Sequence, residues 1–456
     1  MQKRRSLRPI PFMRLQSSTN VQVQHGTNDS RLPLASVKEP EINILLLSLI
    51  FPPDGVSSAQ LLGEIVDDLS KDGAMEVTVV TTSPHYNVDE KAQALQPITW
   101  AWHRLYGKSD FNGASVWHVF MPKKAESSIM RAIQWLWFHL CSLVLAASLC
   151  RKADVVLTVS PPPTITVVAT LLKVLFRKPF VYVMWELYPQ ILVTLGYLNK
   201  DSWLHRVLIK LEKFTYKKAN RIIALHEPMR IAVGQRVANA LEKTTVIPTF
   251  ADVDFLKPMS SDTSLRRKYN LTEKFVVGYA GNLGPSEDLS IVLEAALQLP
   301  DVAFLICGDG TERKRLESYA SENALKNVIF TGHLPYEMVP EITATADVSL
   351  VVLTEGVGEE ALPSKVYKVM ACGRPVLAVS GPQSPLSDLV TSLSVGRAVT
   401  DYSQNTLARA IEKMKAEPDH LVSMGVNARD AAIERFSRES VTRDYRELLL
   451  SVVHSK

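Results

Sequence analysis

Phe275-Val276-Val277-Gly278-Tyr279-Ala280-Gly281-Asn282-Leu283-Gly284 is a short apolar run that stops on a glycine and passes into a small polar turn. A strand covered on both faces of a sheet reads this way, with continuous Val and aromatic content and a glycine where the backbone turns towards a helix. The run follows a polar stretch at residues 255–270 and opens a series: residues 302–308, 327–332, 347–353, 375–380 and 395–400 repeat the pattern, with helical patterns between most of them. Strand and helix in alternation predict a parallel, doubly wound α/β unit.

Working outward towards the N-terminus, the same signature occurs at residues 43–48, 76–83, 115–120, 154–160, 179–185, 221–226 and 244–250, predicting a second doubly wound unit ahead of the first. Length agrees: 456 residues exceed what one hydrophobic core holds, roughly 250–300 residues. Hydrophobic residues at 46% and charged residues at 21% fit a globular chain and exclude wholesale disorder or a multi-span membrane protein. The formal charge of +4 misleads, because Lys3, Arg4, Arg5, Arg8 and Arg14 lie in a tail without acids up to residue 28, and the remaining chain is close to neutral. A nucleic-acid-binding body is therefore not expected. Cys141, Cys150, Cys307 and Cys372 are scattered, which suits a reducing compartment and neither a zinc site nor a disulfide framework. Residues 1–40 read as a flexible basic tail; a transit peptide is the alternative, and the apolar stretch of a secretory signal is missing.

Ligands of open α/β sheets bind beyond the carboxyl ends of the strands, so two facing sheets make a cleft. Three strands there end in glycine, polar residues or both: in the loop containing Gly55, the one at Gly281, Asn282, Leu283 and Gly284, and Gly308-Asp309-Gly310. Glycine lets backbone N–H groups approach a ligand closely, and a helix start favours negative charge, which suits a diphosphate; a plain turn requirement is the alternative for each. Residues 133–150 approach the lower length limit of a membrane span. Strands of one sheet flank them, so a buried crossover helix is expected. Lys123-Lys124, Arg131 and Trp135-Leu136-Trp137-Phe138 combine cations and aromatics as an interfacial anchor does, or else the tryptophans pack on the sheet.

The C-terminal half resembles glycosyltransferase family 4, retaining enzymes of the GT-B fold, in four segments: residues 277–284, residues 306–310, residues 328–335 and the longest, from Leu362-Pro363-Ser364-Lys365 through Lys368 to Met370-Ala371-Cys372-Gly373-Arg374-Pro375. In the N-terminal half, Met184-Trp185-Glu186-Leu187-Tyr188-Pro189-Gln190 is similar to a segment of the exopolysaccharide, colanic-acid and N-acetyl-fucosaminyl transferase branch. The resemblance implies α/β architecture with two facing Rossmann-like domains: an acceptor domain at 41–255, a nucleotide-sugar donor domain at 256–436, and a final helix at 437–456 packing back on the first. It implies transfer from a nucleotide-sugar donor to a saccharide or lipid-linked saccharide acceptor in polysaccharide biosynthesis. No cofactor and no metal are expected, and the location is cytoplasmic, with peripheral contact at the inner face of the plasma membrane. Asp252-Val253-Asp254 spells a metal motif of a different glycosyltransferase fold but falls in the domain-joining loop.

Two departures matter. Of the paired glutamates common in the family, the first falls on Glu360 and the second, which holds ribose, on Lys368; a lysine donates and cannot accept. The phosphate-binding Arg and Lys of many relatives are replaced by Asn282 and by Pro285-Ser286-Glu287. Lys365 is the expected substitute cation, with His333, Leu334, Ser364 and Asp309 around the donor. Glu186 and His85 follow N-terminal strands and are expected to orient the acceptor. The alternatives are a catalytically silent binding subunit and a sugar-nucleotide epimerase.

Overall fold

The computed structural model describes residues 42–73, 75–85, 90–122, 127–357 and 361–455. Glu359 and Glu360, Lys123 and Lys124, and the basic tail lie outside the described residues. Nine strands form the first sheet: β1 (Ile42–Leu47), β2 (Met75–Thr82), β3 (Thr99–Ala101), β4 (Tyr106–Phe111), β5 (Ala114–Val119), β6 (Val155–Val159), β7 (Phe180–Met184), β8 (Arg221–Ala224) and β9 (Thr244–Val246), in the order β3-β4-β5-β2-β1-β6-β7-β8-β9. From β5 to β9 all pairings are parallel. Helices cover both faces, which is why β6 (VVLTV) and β7 (FVYVM) are buried at every residue.

Six parallel strands form the second sheet: β10 (Phe275–Ala280), β11 (Val302–Cys307), β12 (Val328–Gly332), β13 (Val348–Val352), β14 (Val376–Val379) and β15 (Gly396–Val399), in the order β12-β11-β10-β13-β14-β15. The chain winds outward on one side from β10 and on the other from β13, so the switch point falls between these two strands. The last helix, Arg438–His454, returns to the first sheet. Its Val441, Tyr445 and Leu449 pack in one core with Ile44, Leu62 and Val181. Arg438 there donates to Asp67 (2.5 Å) and Asp68 (2.7 Å) of the helix Ser57–Ser70.

Two sequence expectations need correction. The antiparallel hairpin β3–β4 at the sheet edge was not foreseen, because its inward positions include Gly107 and Ser109, which carry no apolar signal. The crossover helix Ser128–Leu149 does join β5 to β6, but it is not a buried helix: only 33% of its apolar window is covered. Phe138, Cys141 and Ala146 face the sheet while Ile133, Leu136, Leu140 and Val144 face outward.

Candidate donor site

A cavity of about 840 Å³ opens at the carboxyl ends of β10, β11 and β13, at the switch point of the second sheet, with Ser57 of the N-terminal half on its opposite wall. Lys365 projects into it from the first turn of the helix Lys365–Ala371. Its ammonium lies 2.7 Å from Glu287 Oε2, donates to the Tyr279 hydroxyl at 3.1 Å and sits 4.6 Å from the centre of the Tyr279 ring. Tyr279 is buried at the end of β10, its hydroxyl 2.6 Å from both Glu287 Oε2 and the Asn282 carbonyl oxygen. Burial lowers the Lys365 pKa, and Glu287 opposes that loss of charge. Burial and then the Glu287 carboxylate hold the Tyr279 phenol well above its ordinary value, so it stays neutral.

Gly281 leaves room for this arrangement, since a Cβ there would stand 2.6 Å from Lys365 Nζ and displace the ammonium. Gly308 is strictly required: at φ +151° its Cβ would fall 1.8 Å from the Gly281 carbonyl oxygen. The Gly281 N–H donates to the Cys307 carbonyl, that of Leu283 to Asp309, and that of Gly308 to Gly332. These amides are therefore spent within the loops. Among the described residues those of Asn282 and Gly284 have no protein acceptor.

Lys368, one turn beyond Lys365, lines the same cavity with its ammonium 5.0 Å from the centre of the Tyr336 ring, which stacks on Phe255 at 5.4 Å. Burial lowers its pKa and Glu64, from the N-terminal half, raises it. Burial raises the pKa of Glu64 itself. Tyr336 is pushed up to about 12 by burial, with Glu64 and Asp252 adding to it. A cation, two acids and an aromatic ring thus face one another where the two halves meet.

His333, Leu334, Ser364, Asp309, Gly281, Asn282 and Gly308 line the cavity, whereas other expected site residues stand elsewhere. Leu283 is buried in the core beneath β10, and Gly284 faces the Asn282 side chain. Gly55 borders a separate hollow with Pro52, Gln60 and Arg438. His85 is buried, with Nδ1 2.9 Å from the Thr82 hydroxyl and its N–H donating to Asp54. Glu186 is exposed on the loop after β7, and its carboxylate accepts from Tyr188 at 2.6 Å. Asp252 caps the linker by accepting from the N–H groups of Asp254 and Phe255. Sequence reading missed Tyr279, Tyr336 and Glu64. Glu287 was visible as the residue occupying a lost cation's place, and its opposite charge was the available sign of a partner such as Lys365.

A family model described as glycosyl transferases group 1 matches residues 261–431, and one described as a glycosyl transferase 4-like domain matches residues 59–249. Together they span most of the chain, one on each sheet. The chain belongs to glycosyltransferase family 4. This glycosyltransferase is 25% identical over 419 residues to WcaI of Escherichia coli, named as a colanic acid biosynthesis glycosyl transferase, covering 89% of the chain and 98% of WcaI. It is 27% identical over 267 residues to the glycosyltransferase WbjE of Pseudomonas aeruginosa, covering 58% of the chain and just under two thirds, 66%, of WbjE. Among solved structures, Anabaena HepE in complex with UDP aligns with a TM-score of 0.69 at 19% identity, over 90% of this chain and all of HepE. WaaG, a lipopolysaccharide-biosynthesis glycosyltransferase, aligns at 0.62 and 15%, over 89% and 99%. The two facing sheets are the GT-B architecture.

Proposed function

We propose that this glycosyltransferase moves a sugar, with retention of anomeric configuration, from a nucleoside-diphosphate donor to a saccharide acceptor in polysaccharide assembly. The acceptor is carried on a lipid, and the protein works in the cytoplasm at the inner face of the plasma membrane. One observation carries the reading: two lysines a turn apart enter one cavity at the switch point, where the loops from β10 and β11 approach too closely for any side chain at Gly308. The donor diphosphate lies against Lys365 and Lys368 and the Asn282 amide, with the sugar directed at the N-terminal half. The acceptor oxygen attacks the anomeric carbon as the bond to the β-phosphate oxygen breaks, and the acceptor proton passes to that leaving oxygen. Lys365 and Lys368 stabilise the charge that grows on it. Similarity to WcaI supports a polysaccharide setting, and HepE supports a nucleotide in such a fold.

Ligand-observed NMR against UDP-, GDP-, dTDP- and ADP-sugars tests the donor site, followed by acceptor-dependent release of the nucleoside diphosphate. Saturation transfer to one donor is expected, with Lys365→Ala and Lys368→Ala each lowering kcat/KM by roughly 10²–10³. Silence across the panel would overturn the reading; binding without turnover would favour a silent binding subunit, for which Lys368 in a glutamate's place is the motivating feature. Donor turnover without an acceptor product would favour an epimerase.

A further inference from the structure

The helices Ser128–Leu149, Ile165–Phe176 and Trp203–Lys218 are successive crossovers of one sheet and share one core against it, which includes Phe138, Ala169 and Tyr216. They form one layer whose inner side is that core. Its outer side is apolar as well. Ile133, Leu136, Leu140 and Val144 recur at helical spacing on the first helix, Val174 and Leu175 stand exposed on the second, and Trp203, Val207 and Phe214 on the third. Exposed apolar residues recurring on three helices that pack side by side mark an interaction surface.

The charge of the same segment says what it meets. Residues 128–218 hold twelve Lys and Arg against four Asp and Glu, whereas the whole chain has a formal charge of only +4. One of those acids, Glu212, is buried in an ion pair with Arg236. Arg206, Lys210, Lys213, Lys217 and Lys218 are exposed on the third helix, intermixed with its apolar residues. A partner protein's apolar patch would leave this cation excess unanswered. An anionic lipid surface answers both, taking Trp and Leu into the acyl boundary and setting Lys and Arg among the headgroups. Spanning is ruled out by topology, because β5 and β6 on either side of the first helix belong to one sheet.

We infer that the outer face of this helical layer docks on an anionic bilayer. Leu195 and Tyr197 are exposed between the second and third helices, next to Thr194, which lies 3.6 Å from the Cβ position of Gly356 in the C-terminal half. Docking therefore brings the cleft mouth to the headgroup level. It deepens the lipid-linked acceptor reading above and is separate from the donor chemistry.

Co-sedimentation of the full chain with phosphatidylcholine vesicles, with and without phosphatidylglycerol, is the test. Binding is expected only with phosphatidylglycerol, weakened by salt, and reduced at least about tenfold in Leu136→Asp/Leu140→Asp and in Lys213→Glu/Lys217→Glu, with unchanged melting temperatures. Donor NMR signals unaltered in both variants would separate loss of docking from loss of the donor site. No sedimentation with anionic vesicles, or binding that both variants retain, which the basic tail alone would give, overturns the inference. So does a dimer that the Leu136→Asp/Leu140→Asp variant dissociates, since a second copy would then own the face.

Discussion

Lys365 reaches the cavity already answered by a carboxylate, and under the proposed function that sets the terms on which a donor diphosphate is admitted. Glu287 holds the ammonium charged against a burial that would discharge it, and must yield some of that contact when phosphate oxygens arrive. Glu287→Gln removes the group that raises the Lys365 pKa and leaves the burial that lowers it. A lysine is charged below its pKa, so the variant loses the cation at a lower pH than the wild type does. The alkaline limb of kcat/KM against pH is expected to move to lower pH, with the acid limb in place; an unmoved alkaline limb would mean that another group carries the titrating charge. Residues at this scale were partly legible. Lys365, Lys368, His333 and Ser364 stood in contiguous motifs, whereas Tyr279 reads in sequence as one more apolar strand residue. Glu64 lies some three hundred positions from Lys368, and only the meeting of the two sheets brings them into one field.

Individual elements were legible where burial on both faces forced a continuous apolar run, as in β6, β7 and β13, and illegible where one face is open. The hairpin of β4 and β5 did carry a signal. Asn112-Gly113, at φ +50° and +89°, is the dipeptide that a tight turn with two left-handed residues demands. It was overlooked because β4 presents glycine and serine inward. The crossover helix misled for the opposite reason: with apolar residues on both its faces, composition could not distinguish a covered side from an open one. Loops at the strand ends are the most constrained elements. Gly308→Ala would drive a methyl into the Gly281 carbonyl oxygen and is expected to cost about 3 kcal/mol or more in urea unfolding. Near-native stability of that variant would show that the β10 and β11 loops can separate.

At the scale of the molecule, the alternation of strands and helices twice over was enough to place two sheets face to face, but not to show how the chain fastens its end to its beginning. Arg438 does this through Asp67 and Asp68. Burial alone would raise both carboxyl pKa values, yet hydrogen bonds from Arg438 and Lys71 outweigh it and hold both below the ordinary range. Arg438→Ala is expected to lower stability by about 1–2 kcal/mol at neutral pH, a modest figure because the groups are partly exposed. That deficit is present above the unfolded carboxylate pKa, near ~3.9, and fades as pH falls through the lower folded values. Melts of both proteins from neutral pH to about pH 3 check the sign. The return of the last helix also means that the chain passes between the halves twice, and the two passages lie side by side: Ala251 donates to the Phe436 carbonyl at 2.9 Å and bridges to Ser437. Hinges between domains are a few loop or element-terminal residues that absorb the change in backbone angles, and here those residues lie on two adjacent, hydrogen-bonded passages. A hinge between the halves must therefore turn at both passages at once, so that a substitution at Ala251 or Ser437 bears on the two together.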